Sequence, residues 1–150
     1  MTRRTRRSAD TAVFAPVDTT RLYVALGRLT RALRREAAAP VSHGVLSALV
    51  TVVKEGPVRS GELAAREGVA PPSMTKVVAS LEQGGYVERV PDPEDGRAAL
   101  ISATRAGRAL VESTRAMRLH GLARRIDALD PGQAAAIVAA LPALEALAED

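Results

Sequence analysis

The chain has 150 residues, 47% of them hydrophobic and 25% charged, which fits one globular core with a small extension and excludes wholesale disorder. It has no cysteine and only two histidines, His43 and His120, and aromatic residues make up 2%; thiol chemistry, disulfides, a three-histidine zinc site and an aromatic stacking platform are excluded together. The net charge is +4, and Arg3, Arg4, Arg6 and Arg7 precede the first acid, Asp10, so a basic arm carries the excess and the remainder is balanced.

Residues 1–17 read as a disordered basic arm. No apolar run approaches the roughly 20 residues that span a bilayer. The arginine-rich start has no apolar stretch behind it, so no secretory signal is expected and the reading is cytoplasmic, with no membrane partner. From Asp18, leucines at 22, 26, 29 and 33 lay a single apolar stripe along a helix that Pro40 ends. A second helix is predicted over about 41–54, with Val45, Leu46, Leu49, Val52 and Val53 inward. Gly56-Pro57 stops it. A short third helix, about 60–67, carries Leu63, Ala64 and Ala65 and ends at Gly68. Pro71 opens a fourth helix, 71–83, with Met74, Val77, Val78 and Leu81 inward.

Gly84-Gly85 ends that helix, and two β-rich segments follow, 86–90 and 99–102. The turn-dense stretch Pro91-Asp-Pro-Glu-Asp-Gly-Arg97 joins them as a hairpin tip. Its acids lack calcium-loop spacing, so ordinary turn chemistry is expected of them. Thr104 caps a fifth helix to about Ile126, with Leu110, Val111, Thr114 and Met117 inward. Asp130-Pro131-Gly132-Gln133 is a capping-box pattern opening the last helix. Its stripe is 137, 141, 144 and 148, with a kink or break expected at Pro142. The two outer stripes exceed what one small core absorbs, and a partner chain is their natural sink.

Residues 60–83 therefore read as helix, tight turn, helix. The exposed start of the second carries Pro71, Pro72, Ser73, Thr75 and Lys76. A helix in the major groove reads base edges with its N-terminal residues. Ser73 and Thr75 offer hydroxyls to bases or phosphates, Lys76 neutralises a phosphate, and free backbone N–H groups at that end attract phosphate. Residues 55–97 nevertheless hold five basic and eight acidic residues, so moderate affinity with steep salt dependence is expected.

The segments Gly61-Glu-Leu-Ala-Ala-Arg-Glu-Gly-Val69, Ser73-Met-Thr-Lys76, Leu81-Glu-Gln-Gly-Gly-Tyr-Val-Glu-Arg89, Asp92-Pro-Glu-Asp-Gly-Arg-Ala98 and Ser102-Ala-Thr-Arg-Ala-Gly-Arg108 resemble the MarR family of bacterial regulators. The resemblance implies a mainly α fold with a small β-hairpin: a winged helix-turn-helix over 41–103, flanked by dimerisation helices over 18–40 and 104–150. It implies a homodimer on pseudo-palindromic double-stranded DNA, commonly a repressor, released by a small aromatic or anionic effector. By position, Pro72, Ser73, Thr75 and Lys76 match the groove-reading segment. Asp95, Gly96 and Arg97 match the wing, with Arg97 entering the minor groove and Asp95 orienting it. His43 falls where relatives line an effector pocket. The pattern departs at Ala70, where a Ser or Thr cap is common, at Pro71-Pro72, and at Lys76 in place of a frequent Arg. No metal or cofactor is expected, and with no phosphate loop and no nucleophile paired to a histidine and an acid, no enzyme. A winged-helix module that binds protein instead of DNA is the alternative, mildly favoured by the acidic balance of 55–97.

Overall fold

In chain order the elements are α1 (Thr19–Glu36), α2 (His43–Glu55), β1 (Val58–Arg59), α3 (Ser60–Arg66), α4 (Pro71–Gln83), β2 (Val87–Pro91), β3 (Ala99–Ala103), α5 (Arg105–Asp127) and α6 (Pro131–Ala146). The computed structural model describes residues 18–95 and 98–149; the basic arm and the wing residues Gly96 and Arg97 lie outside them. The chain divides into two units, Met1–Ala32 and Leu33–Asp150.

The helix α1, whose last turn belongs to the second unit, buries none of its side chains, and Tyr23, Val24, Leu26 and Leu29 are all exposed. The helix ends at Glu36 rather than at Pro40. The proline bars helix just before itself, but it does not hold the chain helical up to that point.

The second unit is built on a core from α2, α3, α4 and the sheet. Leu49, Val52, Val58, Leu63, Met74, Val78, Leu81 and Ile101 are fully buried. Each side chain of that size stabilises the fold by about 1.5–3 kcal/mol on burial. The inward residues predicted for α2 and α4 are those that form the core, with Val45, Val53 and Val77 packed half-buried at its edge. Ala65 of α3 and Met117 of α5, both predicted inward, are exposed. Met117 lies one turn past Thr114, the last residue of that predicted stripe to be buried, and is itself exposed.

The expected hairpin is present, β2 against β3 with Val87 opposite Ala103 and Pro91 opposite Ala99. A third strand joins it: β1 pairs antiparallel with β3, Val58 opposite Ile101, giving the order β1-β3-β2. Two residues are too few for a period-2 signal, which is why the sequence did not reveal β1. The caps form as read. Thr104 accepts from the Gly107 N–H at 3.1 Å, and Asp130 and Gln133 close a reciprocal capping box. The helix α6 runs through Pro142 unbroken. The proline removes a single donor, and the ladder resumes with Leu147 N–H donating to the Ala143 carbonyl at 3.1 Å.

Candidate nucleic-acid interface

The helix-turn-helix is set by glycine at each helix end. Gly68 and Gly85 take positive φ, 64° and 70°. Val69 N–H then returns to the Ala64 carbonyl and Tyr86 N–H to the Leu81 carbonyl, satisfying groups the helix ends leave open. Only Val69 and Ala70 lie between Gly68 and α4, so the turn is tight. Burial of Met74, Val78 and Leu81 fixes the rotation of α4 about its axis. That rotation leaves Pro72, Ser73, Thr75 and Lys76 exposed together, as the sequence predicts. The same face continues through Ala79, Ser80 and Gln83, which the sequence reading missed although the 3.6-residue period places them there.

The first turn of α4 differs from expectation in one respect. Ala70 supplies no side-chain cap, and Pro71 and Pro72 have no N–H. The next two donors, Ser73 N–H and Met74 N–H, both go to the Ala70 carbonyl, at 2.9 and 3.1 Å. Positions 71–74 therefore leave no backbone donor to attract phosphate, and anchoring falls mainly to side chains. The Thr75 hydroxyl donates to the Pro71 carbonyl at 3.0 Å. Lys76 enters no ion pair among the described residues, whereas Arg59, Arg66 and Arg89 are paired with Asp92, Glu55 and Glu82. The acids that make this module net negative are thus partly neutralised from within it.

One of these pairs sets the base of the wing. Arg59, the residue that caps α3, holds Asp92 through Nε at 2.7 Å and a terminal guanidinium nitrogen at 2.6 Å. The other Asp92 oxygen accepts the Glu94 N–H at 2.9 Å, and the Asp92 N–H donates to the Ala98 carbonyl at 3.2 Å. The Glu94 N–H and then the Arg59 guanidinium hold the Asp92 carboxyl below its ordinary range; Asp92, with its charge, raises Arg59. Asp92 is buried although charged, which such pairing requires. Sequence reading gave Asp92 turn chemistry, which it performs, but missed Arg59, 33 positions away. A second pair, Arg89 with Glu82 at 2.8 Å, ties β2 to the end of α4. Asp95 is exposed beyond the strand ends, and the Arg97 it is expected to orient lies outside the described residues.

His43 is exposed as the first residue of α2. One hollow, of about 420 Å³, is bordered by Glu36, Ala116, Met117, His120 and Arg124 and not by His43. There the Glu36 carboxylate lies over Gly121, where any Cβ would collide with it, and pairs with Arg124 and Arg125 at 3.3 and 2.5 Å.

Helix, turn and recognition helix, followed by a hairpin braced to both, define a winged helix-turn-helix transcriptional regulator. A model of the MarR family matches residues 41–99. An HTH-type transcriptional regulator of Mycobacterium tuberculosis is 47% identical over 110 residues, covering 73% of this chain and 77% of that protein. Among solved structures, a Pseudomonas aeruginosa protein assigned to transcriptional regulation aligns with a TM-score of 0.79 at 32% identity, covering 90% of this chain and 99% of its own. A transcriptional regulator of Thermotoga maritima aligns with a TM-score of 0.71 at 27% identity, covering 86% and 92%. The chain belongs to the MarR family. It is a transcriptional regulator of the DNA-binding helix-turn-helix type, in a family of regulators rather than enzymes. No helix among the described residues is long and apolar enough to cross a membrane.

Proposed function

We propose that this regulator binds pseudo-palindromic duplex DNA as a homodimer, with α4 in the major groove and the β2–β3 turn in the minor groove. The exposed row on α4 carries the proposal: three buried side chains lock the helix so that Pro72, Ser73, Thr75 and Lys76 face outward together. Thr75 and Ser73 contact bases or phosphates, and Lys76 neutralises a phosphate. Asp95, Gly96 and Arg97 form the wing contact, because a narrow A·T-rich minor groove attracts an inserted guanidinium.

The dimer is supported by what α1 and α6 leave bare. Neither buries a side chain, and Leu26, Leu29, Ile137 and Leu141 are exposed. Residues 18–40 and 104–150 serve as the dimerisation segments, joined across a two-fold axis as a self-complementary patch. Charge supports the same pairing. The first helix carries Arg21, Arg28, Arg31, Arg34 and Arg35, while 126–150 holds five acids and no Lys or Arg.

Repression by promoter occupancy in the cytoplasm, relieved by a small aromatic or anionic effector, is the mode of regulation we infer. The hollow beside Met117, His120 and Arg124 supplies apolar and cationic groups suited to such a molecule. His43 remains the second place to test. Sequence selection by the purified protein tests the function as a whole. A pseudo-palindrome with half-sites about one helical turn apart is expected. Selection of no sequence, with binding to another protein, would favour the interaction-module alternative.

A further inference from the structure

The chemistry exposed on α4 is selective in a way that its family membership does not specify. In the major groove, guanine is read by Arg or Lys, adenine by Asn or Gln, and thymine through its methyl group by apolar contact. The exposed residues of α4 are Pro71, Pro72, Ser73, Thr75, Lys76, Ala79, Ser80 and Gln83. None is Arg or Asn, Lys76 is the one residue of the guanine-reading type, and the single Gln is the last residue of the helix, remote from the reading end. Within positions 71–74 the backbone has no free donor, since Pro71 and Pro72 lack one and Ser73 and Met74 are committed to the Ala70 carbonyl. The Thr75 hydroxyl proton is committed to the Pro71 carbonyl.

Ser73, Lys76 and Ser80 keep polar groups on this face, and beside them runs an apolar row. Pro72 and Ala79 lie seven residues apart on one face, two helical turns, with Thr75 beside the line between them. Seven residues rise about 10 Å, close to the rise of three base pairs. We infer that α4 reads thymine methyl groups, with the Pro72 ring, the Thr75 methyl and the Ala79 methyl as the specificity-determining contacts and Lys76 as a phosphate anchor. The inference rests on the DNA-reading role proposed above and says which chemical feature of the operator that role detects.

The test replaces each thymine of a selected half-site, singly, by deoxyuridine, which removes only the methyl group. With the unaltered protein, at least one substitution should weaken binding by about fourfold, the ratio expected for losing burial of one methyl. On the thymine duplex, Pro72→Ser or Ala79→Ser should weaken binding to a similar extent. Against the variant that faces it, the same deoxyuridine should then cost nothing further, a coupling that a structural effect would not produce. If every deoxyuridine leaves binding within 1.5-fold (~ the scatter of such titrations), or if losses at thymine and variant simply multiply, methyl reading is overturned while DNA binding stands. If the protein binds no duplex at all, both readings fall together.

Discussion

Replacing Gly107 by alanine sets two well-known effects against each other and lets the structure decide the sign. In an open helix, Gly→Ala stabilises by about 0.5–1 kcal/mol. Gly107 is buried in the first turn of α5, and a Cβ there would collide with the Tyr86 carbonyl and press on Leu49 Cδ1 at 3.2 Å. Tyr86 cannot retreat freely. Its carbonyl accepts the Thr104 N–H at 3.0 Å, and the Thr104 hydroxyl donates to the Gly85 carbonyl at 2.7 Å. The new methyl therefore lifts α5 from the start of the wing strand and breaks its cap as well. Overpacking costs about 1–3 kcal/mol and a lost cap about 1 kcal/mol. After the propensity gain, a net loss of about 1–3 kcal/mol is expected, a fall of roughly 3–10 °C in Tm for a chain of this size. Gly61, in α3 with nothing within 4 Å of its added Cβ, is the control and should gain a few tenths of a kcal/mol, roughly. Thermal and urea unfolding at one fixed protein concentration reads both. A Gly107→Ala protein as stable as the parent would refute the close approach of α5 to Tyr86.

Acid should expose the wing clamp. Because the folded Asp92 carboxyl is held below its ordinary range, its contribution is complete above about pH 4 and is lost as pH falls through the folded value. Asp92→Asn should lower stability at neutral pH and flatten the acid limb of the stability profile, measured by urea unfolding from pH 2 to 7; an unchanged limb would contradict this. Leu26→Glu and Leu144→Glu should each shift sedimentation toward monomer and weaken DNA binding in parallel, and a folded parent monomer at micromolar concentration would defeat the dimer. Mild peroxide should leave DNA binding intact, since there is no cysteine and Met74 is buried in α4, whereas the exposed Met117 should oxidise before Met74. Peptide mass mapping alongside a binding assay checks this, and binding lost to peroxide and restored by a thiol would be the contrary result.

Periodicity and punctuation made most of the architecture legible. The bounds of α4 follow from Pro71 and Gly84, and the caps at Thr104 and Asp130 follow from residue type at a helix start. These are local effects, written within four residues of where they act. What was illegible is non-local or depends on what lies opposite. The strand β1 exists because β3 offers it an edge, and the Arg59–Asp92 clamp needs two segments 33 positions apart to meet. Met117 follows the stripe of α5 but is exposed. The saturated first turn of α4 was written in Pro71-Pro72. The general attraction of helix starts for phosphate obscured it, although proline removes the donors on which that attraction depends.

If the exposed row of α4 contacts DNA, Lys76 is the residue whose contribution can be counted. Binding of the parent and of Lys76→Ala to one selected operator should be titrated across a series of salt concentrations. Each phosphate contact adds close to one unit to the slope of log affinity against log salt. The parent should show a steep negative slope and Lys76→Ala one shallower by about one unit, with unfolding curves that superimpose. Identical slopes and affinities for the two proteins would contradict that contact, because the unpaired cation at the centre of the proposed reading face would then lie away from the DNA.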